Sequence, residues 1–248
     1  MPRVPARAST FFRPPTPEYR HRLRARPLPG CGGLELHFSH QAVALPARTA
    51  AQVRDLEFKV RRGGCARVLA HGRLTLLGMP SRGSVARLAA LQEAAPADYR
   101  EAFGVLHATC EDPCAVFRSG GVLVLEYFEL CRAARGNGLG ATLGGEVLRA
   151  VAKKFDVSMA MWRPYPLQFL DRSSELQTPE GLALFDAERK RLVARYRNGW
   201  GARSLGRSGW LGVGIAGSRL AINRVGSKWT LGPPGLSQRA DRTWQHRA

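Results

Sequence analysis

A mixed α/β domain whose sheet combines antiparallel and parallel strands is the fold class that the sequence predicts, on three observations. β-like segments lie at Leu34–Phe38, Leu56–Val60 and Cys65–Leu77, with a turn at Gly63-Gly64, as antiparallel strands do. Residues 122–162 read strand, glycine-rich turn, amphipathic helix, strand, a βαβ unit with parallel strands and a right-handed crossover. Pro179 to Trp200 adds a further amphipathic helix. At 248 residues, 44% hydrophobic and 23% charged, the chain has room for one generous domain with tails and enough apolar surface for a core.

Taken in order, residues 1–33 carry Pro14, Pro15, Pro17, Pro27 and Pro29 among arginines without apolar periodicity, and are expected to be a disordered tail. Their arginine-rich, acid-poor composition also suits a mitochondrial transit peptide, but the prolines oppose its amphipathic helix. The expected domain spans 34–216. Leu34–Phe38, Leu56–Val60 and Cys65–Leu77 are expected strands, the hairpin joining Leu56–Val60 to Arg67–Ala70. Val85–Leu91 and Tyr99–His107 have helical spacing and are separated by Pro96.

Gly120-Gly121 opens Val122–Leu130, a strand apolar on both faces and therefore central. In the helix Ala141–Phe155, Leu143, Val147, Leu148, Val151 and Phe155 share one stripe. Val157–Trp162 ends at Arg163-Pro164-Tyr165-Pro166, and the Pro179–Trp200 helix is stopped by Gly199 and Gly201. Trp210–Ile215 is a last strand. Residues 217–248 return to Gly, Pro, Ser and Arg, a second basic tail expected to be disordered.

The formal charge of +19 sits mostly at the ends. Residues 1–30 hold seven Arg and one Glu, and residues 217–248 hold five Arg, one Lys and one Asp, so the tails carry +6 and +5. Weak, non-specific polyanion binding by the tails is one reading. Only five of the 38 basic residues are Lys, so the codon bias of a GC-rich genome is the other, and the two stay open. Five cysteines without framework spacing, and no secretory apolar segment, point to a reducing cytoplasm. Cys110-x3-Cys114 and His37-x2-His40 are too loose a set for zinc, and no metal is expected. No apolar run approaches the roughly 18 residues of a membrane span, so no membrane association is expected.

The turn Arg135-Gly136-Asn137-Gly138-Leu139-Gly140 lies between a buried strand and a helix, so successive backbone amides and the positive helix end converge on one point suited to an anion. Glycines there let a diphosphate approach the main chain. A G-x-G-x-x-A dinucleotide variant, Gly136 to Ala141, also fits in form, although a β-rich first half does not suit a dinucleotide fold. The R-x-x-G-x-G spacing resembles the pyrophosphate loop of the GNAT superfamily of N-acetyltransferases. The strand Leu125–Leu130, the turn, the helix, the next strand and a Tyr-containing helix ending in Gly199-Trp200 follow that family's order. Trp162-Arg-Pro-Tyr-Pro-Leu-Gln-Phe169 is similar to a K-P-F-P-L-Q-F segment of an uncharacterised bacterial branch.

The resemblance implies a GNAT-like mixed, mostly antiparallel sheet whose two parallel strands splay around the pantetheine of acetyl-CoA, a co-substrate whose acetyl group passes directly to an unidentified primary amine. It places backbone groups of Leu130 and Arg132 on pantetheine and the amides of Gly136, Asn137, Gly138, Leu139, Gly140 and Ala141 on the diphosphate, with Arg135 adding charge. Strict alternation puts Val122, Val124, Glu126, Phe128 and Leu130 on one face and Leu123, Leu125, Tyr127 and Glu129 on the other, unless a bulge intervenes. Glu126, nine residues before Arg135, is the expected general base, its alternative being a plain ion pair between Glu126 or Glu129 and an arginine. Tyr196, four residues before Trp200, is the expected acid for the thiolate, with Tyr165 in reserve. The rival function is a catalytically degenerate GNAT fold that binds nucleic acid or ribosomes through its basic tails. Its aromatic residues are not interleaved with the tail arginines, so it lacks a stacking platform for single strands.

Overall fold

A computed structural model describes residues 21–22, 25–28, 31–43, 52–78, 97–110, 112–118, 120–136, 138–170, 172, 174–215, 221–225 and 228–232. The expected Val85–Leu91 helix and Asn137 lie outside them. The chain forms a mixed α/β fold on one mostly antiparallel sheet. Its strands are β1 (His21–Arg22), β2 (Arg26–Pro27), β3 (Leu34–Val43), β4 (Gln52–Arg62), β5 (Val68–Gly78), β6 (Val122–Leu130), β7 (Met159–Trp162), β8 (Arg203–Ser204) and β9 (Leu211–Gly214). Their order is β1-β3-β4-β5-β6-β7-β9-β8, with β2 also on β3, and β6 with β7 is the parallel pair.

The long β3-β4-β5 meander follows from alternation. Leu34, Leu36, Phe38, Leu56, Phe58 and Val60 all point into one core, and the β4-to-β5 turn carries Gly64 at φ +72°, where a glycine is required. Among the described residues four helices cover the sheet: α1 (Ala97–Thr109), α2 (Pro113–Arg118), α3 (Leu139–Phe155) and α4 (Pro179–Trp200). On one face Leu143, Val147, Leu148 and Val151 of α3 pack on Leu123 and Leu125, with Val193, Tyr196 and Trp200 of α4 against the same core. On the other face Phe103 and Leu106 of α1 and Val116 and Phe117 of α2 pack on Val122, Val124, Met159 and Met161. Because β6 is covered on both faces at its start, its first residues must be apolar on both sides, as its sequence reads.

Local signals set the helix ends. Thr178 Oγ1 accepts from the Gly181 amide at 3.0 Å, Pro179 opens α4, and Gly201 at φ +65° closes it. Both segments read as tails contain ordered strands. β1 and β2 pair with β3, and Leu28 is buried in the core, so the domain reaches back beyond residue 34. Ala221–Val225 (β10) and Lys228–Gly232 (β11) form a two-stranded antiparallel hairpin within the second tail. No helix among the described residues is long and apolar enough to cross a membrane.

Candidate functional site

The site begins where the parallel pair ends. β6 and β7 pair at Val122 with Met159, Leu123 with Ala160 and Val124 with Met161, and no further. After Trp162 the chain enters Arg163-Pro164-Tyr165-Pro166, where neither proline can donate to a ladder, while β6 runs on to Leu130 against β5 alone. From Leu125 to Leu130 the β6–β7 ladder is therefore interrupted, a gap in strand pairing among the described residues.

Aromatic rings from three elements pack beside the gap. Trp162 of β7 meets Tyr196 and Trp200 of α4 edge to face at 5.3 and 5.1 Å, and Trp200 meets Phe128 of β6 at 6.3 Å. Trp200 Nε1 donates to the Ala141 carbonyl at 2.6 Å. A Cβ on Gly144 would stand 2.2 Å from the Trp200 ring, so glycine is needed there for α3 and α4 to close. Gly140 has a similar use, since its Cβ would lie 3.2 Å from Leu130 Cδ1.

The turn before α3 is built as an open amide end. Residues Arg132–Ala134 make one 3-10 turn, and Gly138 adopts a left-handed conformation at φ +71°. A Cβ at Gly136 or Gly138 would meet nothing within 4 Å, so these two positions are open to the surroundings. The Ala141 amide donates to the Gly138 carbonyl at 3.1 Å, but no side chain caps the helix and no acidic residue occupies its first turn. The positive end of a 17-residue helix is therefore not neutralised from within α3. Leu130, Arg132, Arg135, Gly136, Gly138, Leu139, Gly140 and Ala141 all cluster at this end of the gap, by continuity of β6, the turn and α3. Arg135 turns back onto the strand: its Nε donates to the Leu130 carbonyl at 3.0 Å and its Nη2 to Glu129 Oε1 at 2.8 Å. Its charge is thus already engaged by Glu129, which weakens the part expected of it toward an anion. Arg132 is solvent-exposed.

A bulge corrects the expected alternation on β6. Arg73 pairs with Tyr127 and Leu74 with Leu125, leaving Glu126 as the extra residue. Phe128 and Leu130 consequently join Leu123 and Leu125 in the α3 core. Glu126 and Tyr127 share the opposite face with Arg73 and Thr75. There Glu126 Oε1 accepts from Thr75 Oγ1 at 2.6 Å and Oε2 lies 3.3 Å from Arg73 Nε. Arg73 Nη2 donates to Asp55 Oδ2 at 2.6 Å, and Asp55 Oδ1 accepts from Tyr99 at 2.9 Å and lies 3.2 Å from Thr75 Oγ1, whose one proton goes to Glu126. Burial works against the Arg73 charge, but Glu126 and Asp55 outweigh it and hold the guanidinium protonated. Burial first, then Asp55, pushes the Tyr99 hydroxyl well above its ordinary range, so it stays a neutral donor.

Tyr196 lies on the other face, within the aromatic cluster, and burial pushes its hydroxyl up to about 12. Tyr165 packs on Phe185 at 5.1 Å, and burial raises it as well. Cys110 and Cys114 are buried under α1 and α2, whereas His37 and His40 lie on β3. Among the described residues no three His, Cys, Asp or Glu side chains come together to hold a metal. The structure thus brings the gap, the open helix end and Glu126 around one strand. It adds Asp55, Arg73, Thr75 and Tyr99, which the sequence reading missed. Their only sequence signal was charge or hydroxyl at alternate strand positions, indistinguishable from a solvated face. No family model, curated protein or solved structure matches the chain significantly.

Proposed function

We propose that the protein is an acetyl-CoA-dependent N-acyltransferase of the GNAT type that acts on a primary amine by direct attack. The observation that carries this reading is the parting of the parallel strands β6 and β7 beside the uncapped start of α3. The edge of β6 beyond the end of β7 suits the amides of an extended pantetheine arm, as a missing strand would, and the amides of Gly136, Gly138, Leu139 and Gly140 suit a diphosphate, that of Ala141 being taken by the Gly138 carbonyl. When bound, acetyl-CoA supplies the reactive thioester. Glu126, at a bulge and with its carboxylate already oriented by Thr75 and Arg73, takes the proton released as the amine attacks, directly or through one water. Tyr196 is neutral at physiological pH and donates its proton to the leaving thiolate. One proton enters Glu126 and one leaves Tyr196, so the protein's total is unchanged over the transfer.

Isothermal titration of acetyl-CoA tests the reading. The parent should bind, and Gly138→Val should abolish binding, because the added side chain would stand at the diphosphate position and strain the φ of +71° that shapes the turn; an unchanged urea midpoint would show that the fold is kept. Arg135→Ala should weaken binding by only about 1 kcal/mol or less, since Glu129 already screens that charge. No heat from the parent, or equal binding by Gly138→Val, would remove the acyltransferase reading. Steeply salt-dependent capture of nucleic acid by the same sample would then favour the basic-tail alternative.

A further inference from the structure

Glu126 has a partner set that its suggested role does not by itself require. On the sheet face that holds it, Asp55, Arg73, Thr75 and Glu126 form a closed ring of contacts: Asp55 to Arg73 at 2.6 Å, Arg73 to Glu126 at 3.3 Å, Glu126 to Thr75 at 2.6 Å, Thr75 to Asp55 at 3.2 Å. Tyr99 of α1 donates into the ring through Asp55 at 2.9 Å. The participants are largely enclosed, with side-chain exposures of 8% for Glu126, 14% for Arg73 and 24% for Asp55. Two carboxylates therefore compete for one guanidinium where water screens poorly.

We infer that Arg73, Thr75 and Asp55 are positioning residues for Glu126, and that Asp55 sets the strength of Glu126 as a proton acceptor by drawing on the same guanidinium. The inference rests on the acyltransferase reading for its purpose but on the ring alone for its geometry. The Thr75 hydrogen bond and the Arg73 charge 3.3 Å away both favour ionised Glu126, and a carboxylate so held with no competitor would be a weak base. Asp55 offsets this twice: its negative charge opposes that of Glu126, and it holds the Arg73 Nη2 donor. Tyr99 tempers Asp55 in turn by donating to it. The other titratable groups on this face include Glu57, Lys59 and Arg61 of β4, Glu35 and His37 opposite them on β3, His71 of β5, and Tyr127 and Glu129 of β6, while Glu101 of α1 pairs with Arg163 at 2.9 Å. Glu129 is taken up by Arg135 at 2.8 Å and lies 3.5 Å from His71. Glu57 acts on Tyr127, which burial and Glu57 together raise.

The test is a pH titration of the full chain carrying 13C-labelled glutamate carboxyls, followed by NMR, with the Glu126 resonance assigned by its loss in Glu126→Gln. Asp55→Asn should lower the Glu126 midpoint by about one pH unit or more, because the whole of Arg73 then acts on it. Thr75→Val should raise the midpoint, since it removes a donor to the ionised form. Opposite movements from two neighbouring substitutions are not produced by general loosening of the fold. Tyr99→Phe, which leaves the ring itself intact, should raise it by less, and this milder variant serves if either of the others fails to fold. An unmoved midpoint in Asp55→Asn, or movement of Asp55→Asn and Thr75→Val in the same direction, would overturn the inference, as would a fall in Tyr99→Phe. Calorimetry with acetyl-CoA on the same samples separates the two ideas. Binding with an unmoved midpoint removes the Asp55 coupling and leaves the acyltransferase reading; the expected shifts without binding do the reverse.

Discussion

The two halves of β6 differ more than any other adjoining segments of the sheet. From Val122 to Val124 every residue is buried, both backbone edges are paired and both faces carry helices. From Glu126 to Leu130 every residue is partly exposed, β7 no longer pairs alongside, and the face toward α1 carries charge. One strand thus serves as core at its start and as a site at its end. The changeover needs little: β7 stops after Trp162 at two prolines, and one bulged residue re-aims the side chains. The difference teaches that the reactive end is held by the buried end, so damage to each half should have a different character.

The largest effect is expected where β6 begins. Gly120 sits at φ +123°, and a Cβ there would fall 1.6 Å from the Asp156 carbonyl. Gly120→Ala should cost about 4 kcal/mol or more, or prevent folding, as read by urea unfolding. A mild loss would mean the entry to β6 is not rigidly held. Next comes Arg73→Met, which leaves Asp55 and Glu126 face to face without their cation and should cost about 3–5 kcal/mol at neutral pH. The sign with pH follows from the repulsion. Protonating either carboxylate would relieve it, so the loss should shrink as pH falls into the acid range. A pH-independent loss would assign Arg73 a packing role alone.

In the buried half, Leu123→Ala should cost about 2–5 kcal/mol whatever the pH, since Leu123 is fully buried and only apolar contacts go. The smallest change is expected at the open end. Glu129→Gln breaks an ion pair whose Arg135 side chain is 55% exposed, and solvent screening keeps its worth below about 1 kcal/mol, less in salt. If Glu129→Gln matched Leu123→Ala in urea midpoint, the contrast between the halves would fail.

The features legible in the sequence are local or periodic. The β4-β5 hairpin turn, the strand-turn-helix-strand order, the α3 stripe and the ends of α4 all follow from residues within a few positions of one another, such as Thr178 and Pro179 before α4 and Gly201 after it. The expected start of α3 at Ala141 differs from Leu139 by only the first turn. Glu126 was legible as a polar interruption of an apolar strand, whereas its bulge was not, because one inserted residue leaves the composition of a strand unchanged.

What the sequence by itself determined is β3 to β7, β9, α1, α3 and α4, the amphipathic faces of α3 and α4 and the glycine-rich start of α3, since short-range propensity and periodicity act over a turn or two of chain. The tertiary structure decided everything that depends on who stands opposite whom. Thr75 and Glu126 are 51 positions apart and Asp55 and Tyr99 are 44 apart, yet each pair is within hydrogen-bonding distance. Likewise Arg135 spends its charge on Glu129 rather than on the open turn, and short strands outside the expected domain pair with β3 or with each other. Such pairings depend on strand register and on the energy of enclosing charges together, neither of which is encoded in any single stretch of residues.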